Sequence, residues 1–139
     1  MTVIDPTLAG SRSAAISSLA IRLLSRYAGR GPNKARTYFN DDMVTIVLSD
    51  ILTKPEATLL RHGNAELVTE TRKAFQDVMA DELIAGIEEI TGRKVIAFLS
   101  ANHIDPAMAV ETFILASEHD ASQDGRAGGT EENGASRAD

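Results

Sequence analysis

The sequence predicts an α+β domain: a four-stranded antiparallel sheet packed against helices, in the order α-β-β-α-α-β-β. Three observations lead there. Three segments carry apolar residues at three- and four-residue steps, the period of an amphipathic helix. Four others carry them at steps of two, the period of a strand. The alternating segments come in pairs, each joined by turn-forming residues, as antiparallel hairpins are.

The first helical stripe is Ile16, Leu19, Ala20, Leu23, Leu24 and Tyr27, with Ser11 as the expected N-cap and Gly29 as the stop. After Gly29-Arg30-Gly31-Pro32 the period becomes two. Residues 34–39 and 43–48 are rich in β-branched and aromatic side chains, and Asn40-Asp41-Asp42 between them suits a hairpin tip. Thr53-Lys54-Pro55-Glu56 then reads as a capping box: Thr53 caps, Glu56 follows three positions on, and Pro55 sits where its missing N–H costs nothing. That short helix is expected to end at Gly63. A long one follows over residues 64–91, its stripe formed by Leu67, Thr71, Phe75, Val78, Met79, Leu83, Ile87 and Ile90, and Gly92 closes it. Residues 94–101 and 107–115 are the last two strands, joined around Asn102-His103-Ile104-Asp105-Pro106.

Three of the strands are apolar on both faces. Val44, Ile46 and Leu48 oppose Met43 and Val47; Val95, Ala97 and Leu99 oppose Ile96 and Phe98; Phe113 and Leu115 oppose Val110 and Ile114. Helices on one side leave the other face bare, and a bare apolar face of this size calls for a second copy. The expectation is a homodimer formed largely through its sheet.

Composition bounds the function. The 139 residues are 43% hydrophobic, enough for one packed core over residues 11–117. Residues 1–10 are expected to be a flexible N-terminus, and residues 118–139 a disordered, acidic, Gly-rich tail whose only aliphatic side chains are alanines. A net charge of -6 argues against a nucleic-acid binder. With 0 cysteines there is no disulfide, thiolate metal site or thiol nucleophile. No apolar run exceeds residues 95–99, far below the roughly 20 residues that span a bilayer. No basic segment followed by an apolar one marks a secretory signal at the N-terminus, so a cytoplasmic protein is expected.

Catalytic chemistry finds no footing. His62 lies in the last turn of the short helix, His103 in a turn and His119 in the tail, with no i, i+4 partner for a metal. Asp41 and Asp42 suit a hairpin tip, and Glu88 and Glu89 a solvated helix face. No Gly-x-Ser-x-Gly elbow, Walker pattern or Gly-x-Gly-x-x-Gly occurs. No catalytic residue, metal or cofactor is therefore expected. One charge pattern stands out: Arg22, Arg26 and Arg30 recur four apart on one helix face, and Lys34 and Arg36 share one strand face. No acid interrupts residues 11–39. These five are the candidate binding residues for an anion, an acidic protein or anionic headgroups.

A further set of residues carries a family likeness. It comprises Gly29-Arg30-Gly31-Pro32, Lys34, Arg36, Tyr38 and Asn40-Asp41-Asp42-Met43. Leu52-Thr53 with Glu56 and Arg72 with Phe75 follow, then Glu88-Glu89 and Thr91-Gly92-Arg93-Lys94-Val95. Asp105-Pro106 and Glu111-Thr112-Phe113 complete it. Across residues 12–116 the chain resembles the MpsC-like family of small bacterial proteins. The resemblance implies association with a sodium-translocating, membrane-potential-generating system connected with uptake of inorganic carbon. Membrane-embedded components would carry out the transport. It supplies no catalytic residues. The function it implies is that of a non-catalytic accessory protein, peripheral to the inner face of the membrane, with transporter subunits as partners. The alternative from the residues alone is a regulatory domain that binds a small molecule or anion through the basic 29–36 region.

Overall fold

The computed structural model describes residues 6–32 and 34–117; the N-terminal segment up to residue 5 and the acidic tail lie outside the described residues. Seven elements follow in the expected order: α1 (Pro6–Ala28), β1 (Lys34–Asn40), β2 (Met43–Ser49), α2 (Lys54–Arg61), α3 (Ala65–Thr91), β3 (Val95–His103) and β4 (Met108–Leu115). The strands form one antiparallel sheet in the order β1-β2-β4-β3, which leaves β1 and β3 as its edges.

Local chemistry accounts for most boundaries. Asp41, at the tip of the β1–β2 hairpin, adopts φ 55, a left-handed conformation that Asp tolerates better than most residues. The capping box forms as its spacing implies. The Glu56 N–H donates to Thr53 Oγ1 at 3.3 Å, and the Thr53 N–H donates to Glu56 Oε1 at 3.0 Å. Gly92 caps α3 at φ 70, where its N–H reaches the Glu88 carbonyl. Boundaries differ at β3, which runs on to His103 instead of ending at residue 101 and so takes His103 out of the expected turn, and at α1. Helix α1 begins at Pro6, five residues before the expected Ser11 cap, because proline fits a first helical turn and nothing in residues 7–10 breaks the helix.

All the buried apolar mass lies on one side of the sheet. Val44, Ile46 and Leu48 of β2 and Ala109, Phe113 and Leu115 of β4 pack with Ile16, Ala20, Leu23 and Leu24 of α1 and Met79, Leu83 and Ile87 of α3. The two long helices approach closely at Gly86, where a Cβ would lie 2.4 Å from Leu19 Cδ2. Phe98 of β3 joins the same side, its ring stacked on Phe113 with centroids 4.9 Å apart.

The strand-face assignment needs one correction. The β3–β4 pairing shifts register between Val95 and Ala97, so Ile96 is the extra residue of a β-bulge. Val95 therefore packs against the core, while Ala97 and Leu99 stand on the opposite face. The α3 stripe needs another. Leu67 and Val78 are exposed, and the buried line runs Val68, Arg72, Gln76, Met79, Leu83, Ile87 and Thr91. An apolar count favoured Leu67 and Val78, but the buried line takes in the polar Arg72 and Gln76 instead.

Candidate functional site

The five basic residues do not converge. Arg26 reaches across to α3, donating from Nη1 to Glu82 Oε2 at 3.0 Å, and its guanidinium lies 5.7 Å from the Tyr27 ring centroid. Tyr27 Oη donates to the same carboxylate, and this bond, ahead of Arg26, holds the Glu82 carboxyl below the usual range. Arg30 turns the other way, pairing with Asp50 at 3.3 Å and donating to the Leu52 carbonyl. Arg22 is exposed on α1. Lys34 and Arg36 alternate with Ala35 and Thr37, and Ala35 faces the core while Thr37 bonds Ser17 of α1 at 2.8 Å. Both cations therefore point away from the helices. The helix cations and the strand cations occupy opposite sides of the sheet, and no shared anion pocket forms.

A buried polar layer takes the place expected for core. Arg72 and Gln76 of α3, Glu56 of α2 and Glu111 of β4 are each less than a tenth exposed. Arg72 Nη2 lies 3.4 Å from Glu56 Oε1 and donates to the Ile51 carbonyl. The capping-box glutamate thus also anchors the long helix. Gln76 Nε2 donates to Glu111 Oε2 at 2.9 Å, and Asn102 Nδ2 of β3 donates to Gln76 Oε1 at 2.7 Å. Burial holds the Glu111 carboxyl above the usual carboxylate range, against bonds from Ser100 and Gln76 and the charge of Arg72. Burial likewise lowers the Arg72 guanidinium from its ordinary value, with Glu56 opposing.

Beside this layer, between α3 and the β3 edge, runs a groove of about 440 Å³. Thr69, Lys73, Gln76 and Asp77 form its helix wall, with Phe98, Ser100, Ala101 and Asn102 as its strand wall. The layer could have been suspected from Arg72 and Gln76, which sit four apart in line with Val68 and Met79. Glu111 offered a second signal, alternating with Ala109 and Phe113 on a face otherwise apolar.

Among the described residues, no three His, Cys, Asp or Glu side chains gather as a metal site. Asp42 serves structurally, paired with Arg93, and His103 Nδ1 lies 2.8 Å from the Pro106 carbonyl.

The remaining surface is the uncovered sheet face. Tyr38 of β1, Val47 of β2, Val110, Thr112 and Ile114 of β4, and Leu99 of β3 stand on it, with Lys34 and Arg36 at one border. No acidic residue of any strand points to this side. Leu99 is 58% exposed and the bulged Ile96 60%. No helix of the described residues is long and apolar enough to cross a membrane.

Comparison with curated proteins and with solved structures found no match. A family model did match, described as the Na+-translocating membrane potential-generating system (MpsC), over residues 9–117. That span runs from within α1 to just past β4 and includes the polar layer, the groove and the uncovered face. The chain belongs to the MpsC family.

Proposed function

We propose that the protein is a non-catalytic, homodimeric accessory component of a Na+-translocating, membrane-potential-generating system. It works at the cytoplasmic side of the membrane, docking a membrane-embedded subunit on its uncovered sheet face. Family membership supports the system, and the lack of a membrane-crossing helix among the described residues is compatible with a peripheral role. The observation that carries the docking role is the one-sided coverage of the sheet. Four strands of about seven residues, ~4.8 Å apart and rising ~3.4 Å per residue, present a flat footprint of roughly 450 Å². That is the order of the largest surface patch on a monomer, which is often functional. Its cationic border and lack of acids favour a partner segment that is apolar with acidic flanks.

The test uses membrane vesicles from cells lacking this gene, with Na+-dependent membrane potential as the readout. Adding the purified protein should restore the potential, and a folded Val110→Lys variant should not. Full potential without the protein, or full rescue by the variant, would refute the reading. The five basic residues leave no single surface on which to rest the anion-binding alternative, and no second reading is advanced.

A further inference from the structure

The two edges of the sheet are treated differently by the sequence. The β1 edge follows Pro32 and carries Lys34 and Arg36, devices that keep foreign strands from pairing. The β3 edge, Val95–His103, has no Asp, Glu, Lys or Arg along its nine residues. Its bulge protects only the start, at Ile96; from Ala97 to His103 the pairing with β4 is regular. An uncharged regular edge of this length is a template for another strand.

Above that edge stands the groove, and its helix wall is self-complementary. Lys73 and Asp77 are four apart on α3, both exposed and both lining the groove with Ser100 and Asn102. Ser100 is the midpoint of the regular run 97–103. We propose that two copies join edge to edge, β3 against β3 in antiparallel fashion, about a two-fold axis through Ser100. This rests on the homodimer reading above but moves the contact from the bare face, which the docking partner takes, to the β3 edge. The axis places Leu99 opposite the partner's Ala101, large against small, on the uncovered side. On the helix side it sets Phe98 opposite the partner's Asn102. It also brings the α3 helices side by side and antiparallel, so each Lys73 meets the partner's Asp77 across the two grooves. The result is a continuous eight-stranded sheet whose two bare faces lie on the same side, doubling the docking surface.

The natural chain has no cysteine, so single cysteines report the contact directly. Wild-type protein at tens of micromolar should scatter light with a mass near twice 14.9 kDa. Oxidised Ser100→Cys should crosslink to a covalent dimer, and Val110→Cys, on the bare face, should not. Lys73→Glu and Asp77→Lys, each on an exposed side chain, should fold and each weaken self-association about tenfold. Mixed one to one they should form heterodimers within about threefold of wild-type affinity, since every cross-pair is then opposite in charge. A charge pair within one helix cannot produce that rescue. A wild-type mass of one chain overturns this proposal and the homodimer together. A wild-type dimer without crosslinking at Ser100 and without rescue on mixing overturns the edge placement alone.

Discussion

At the scale of single residues, the buried layer decides what can be changed. One guanidinium faces two carboxyls, and burial favours the neutral form of Glu111. Because the folded carboxyl sits above its unfolded value, its contribution to stability is full at low pH and is lost as pH rises through the folded value. Glu111→Gln keeps the acceptor for Gln76 and removes the titration. Chemical denaturation from pH 4 to 8 should show the variant gaining on wild type as pH rises, by about 1.4 kcal/mol for every tenfold by which folding tightens the carboxyl's hold on its proton. Parallel curves would show that Glu111 is not a proton binder. Arg72→Met should cost about 3–5 kcal/mol, because Glu56 is left charged and buried beside it. Adding Glu56→Gln, which still closes the capping box, should recover much of that loss in a double-mutant cycle.

At the scale of elements, Thr53→Ala removes the acceptor for the Glu56 N–H and should cost about 1 kcal/mol, read from the denaturation midpoint. Signals of this kind are written in a few adjacent residues. That is why the capping box, the Asn40-Asp41-Asp42 tip and the Gly92 stop were legible in sequence. Features set by distant neighbours were not. The bulge at Ile96 depends on how β3 meets β4, and strict alternation puts Val95 with Leu99. The α3 stripe was misread in its first half because Arg72 and Gln76 are buried only by virtue of Glu56, Asn102 and Glu111, from three other elements. The four-residue spacing places Arg22 and Arg26 on α1, but Arg30 falls past the end of the helix, beyond the left-handed Gly29, and leaves their face. Their separation from Lys34 and Arg36 follows from which face of β1 meets α1, a fact of topology that no helix period contains.

At the scale of the molecule, a two-layer build gives each sheet face a different tolerance. Phe98→Lys forces an ammonium against Phe113 in the core and should leave no cooperative thermal unfolding. Val110→Lys adds a charge to the bare face and should keep the circular dichroism spectrum of the wild type. Equal damage from both would mean that the second face is covered within one chain. The polar layer has a consequence here that its own energetics do not express. Apolar stripes repeat every turn, and a helix resting on such a stripe alone can settle one turn up or down with little change in buried area. Arg72 and Gln76 meet their partners Glu56, Asn102 and Glu111 at a single offset, so α3 has one seat on the sheet. Replacing Arg72, Gln76 and Glu111 together with leucine, and Glu56 with glutamine so that no charge is left buried alone, should raise the melting temperature while broadening the amide resonances, a sturdier protein with a less definite shape.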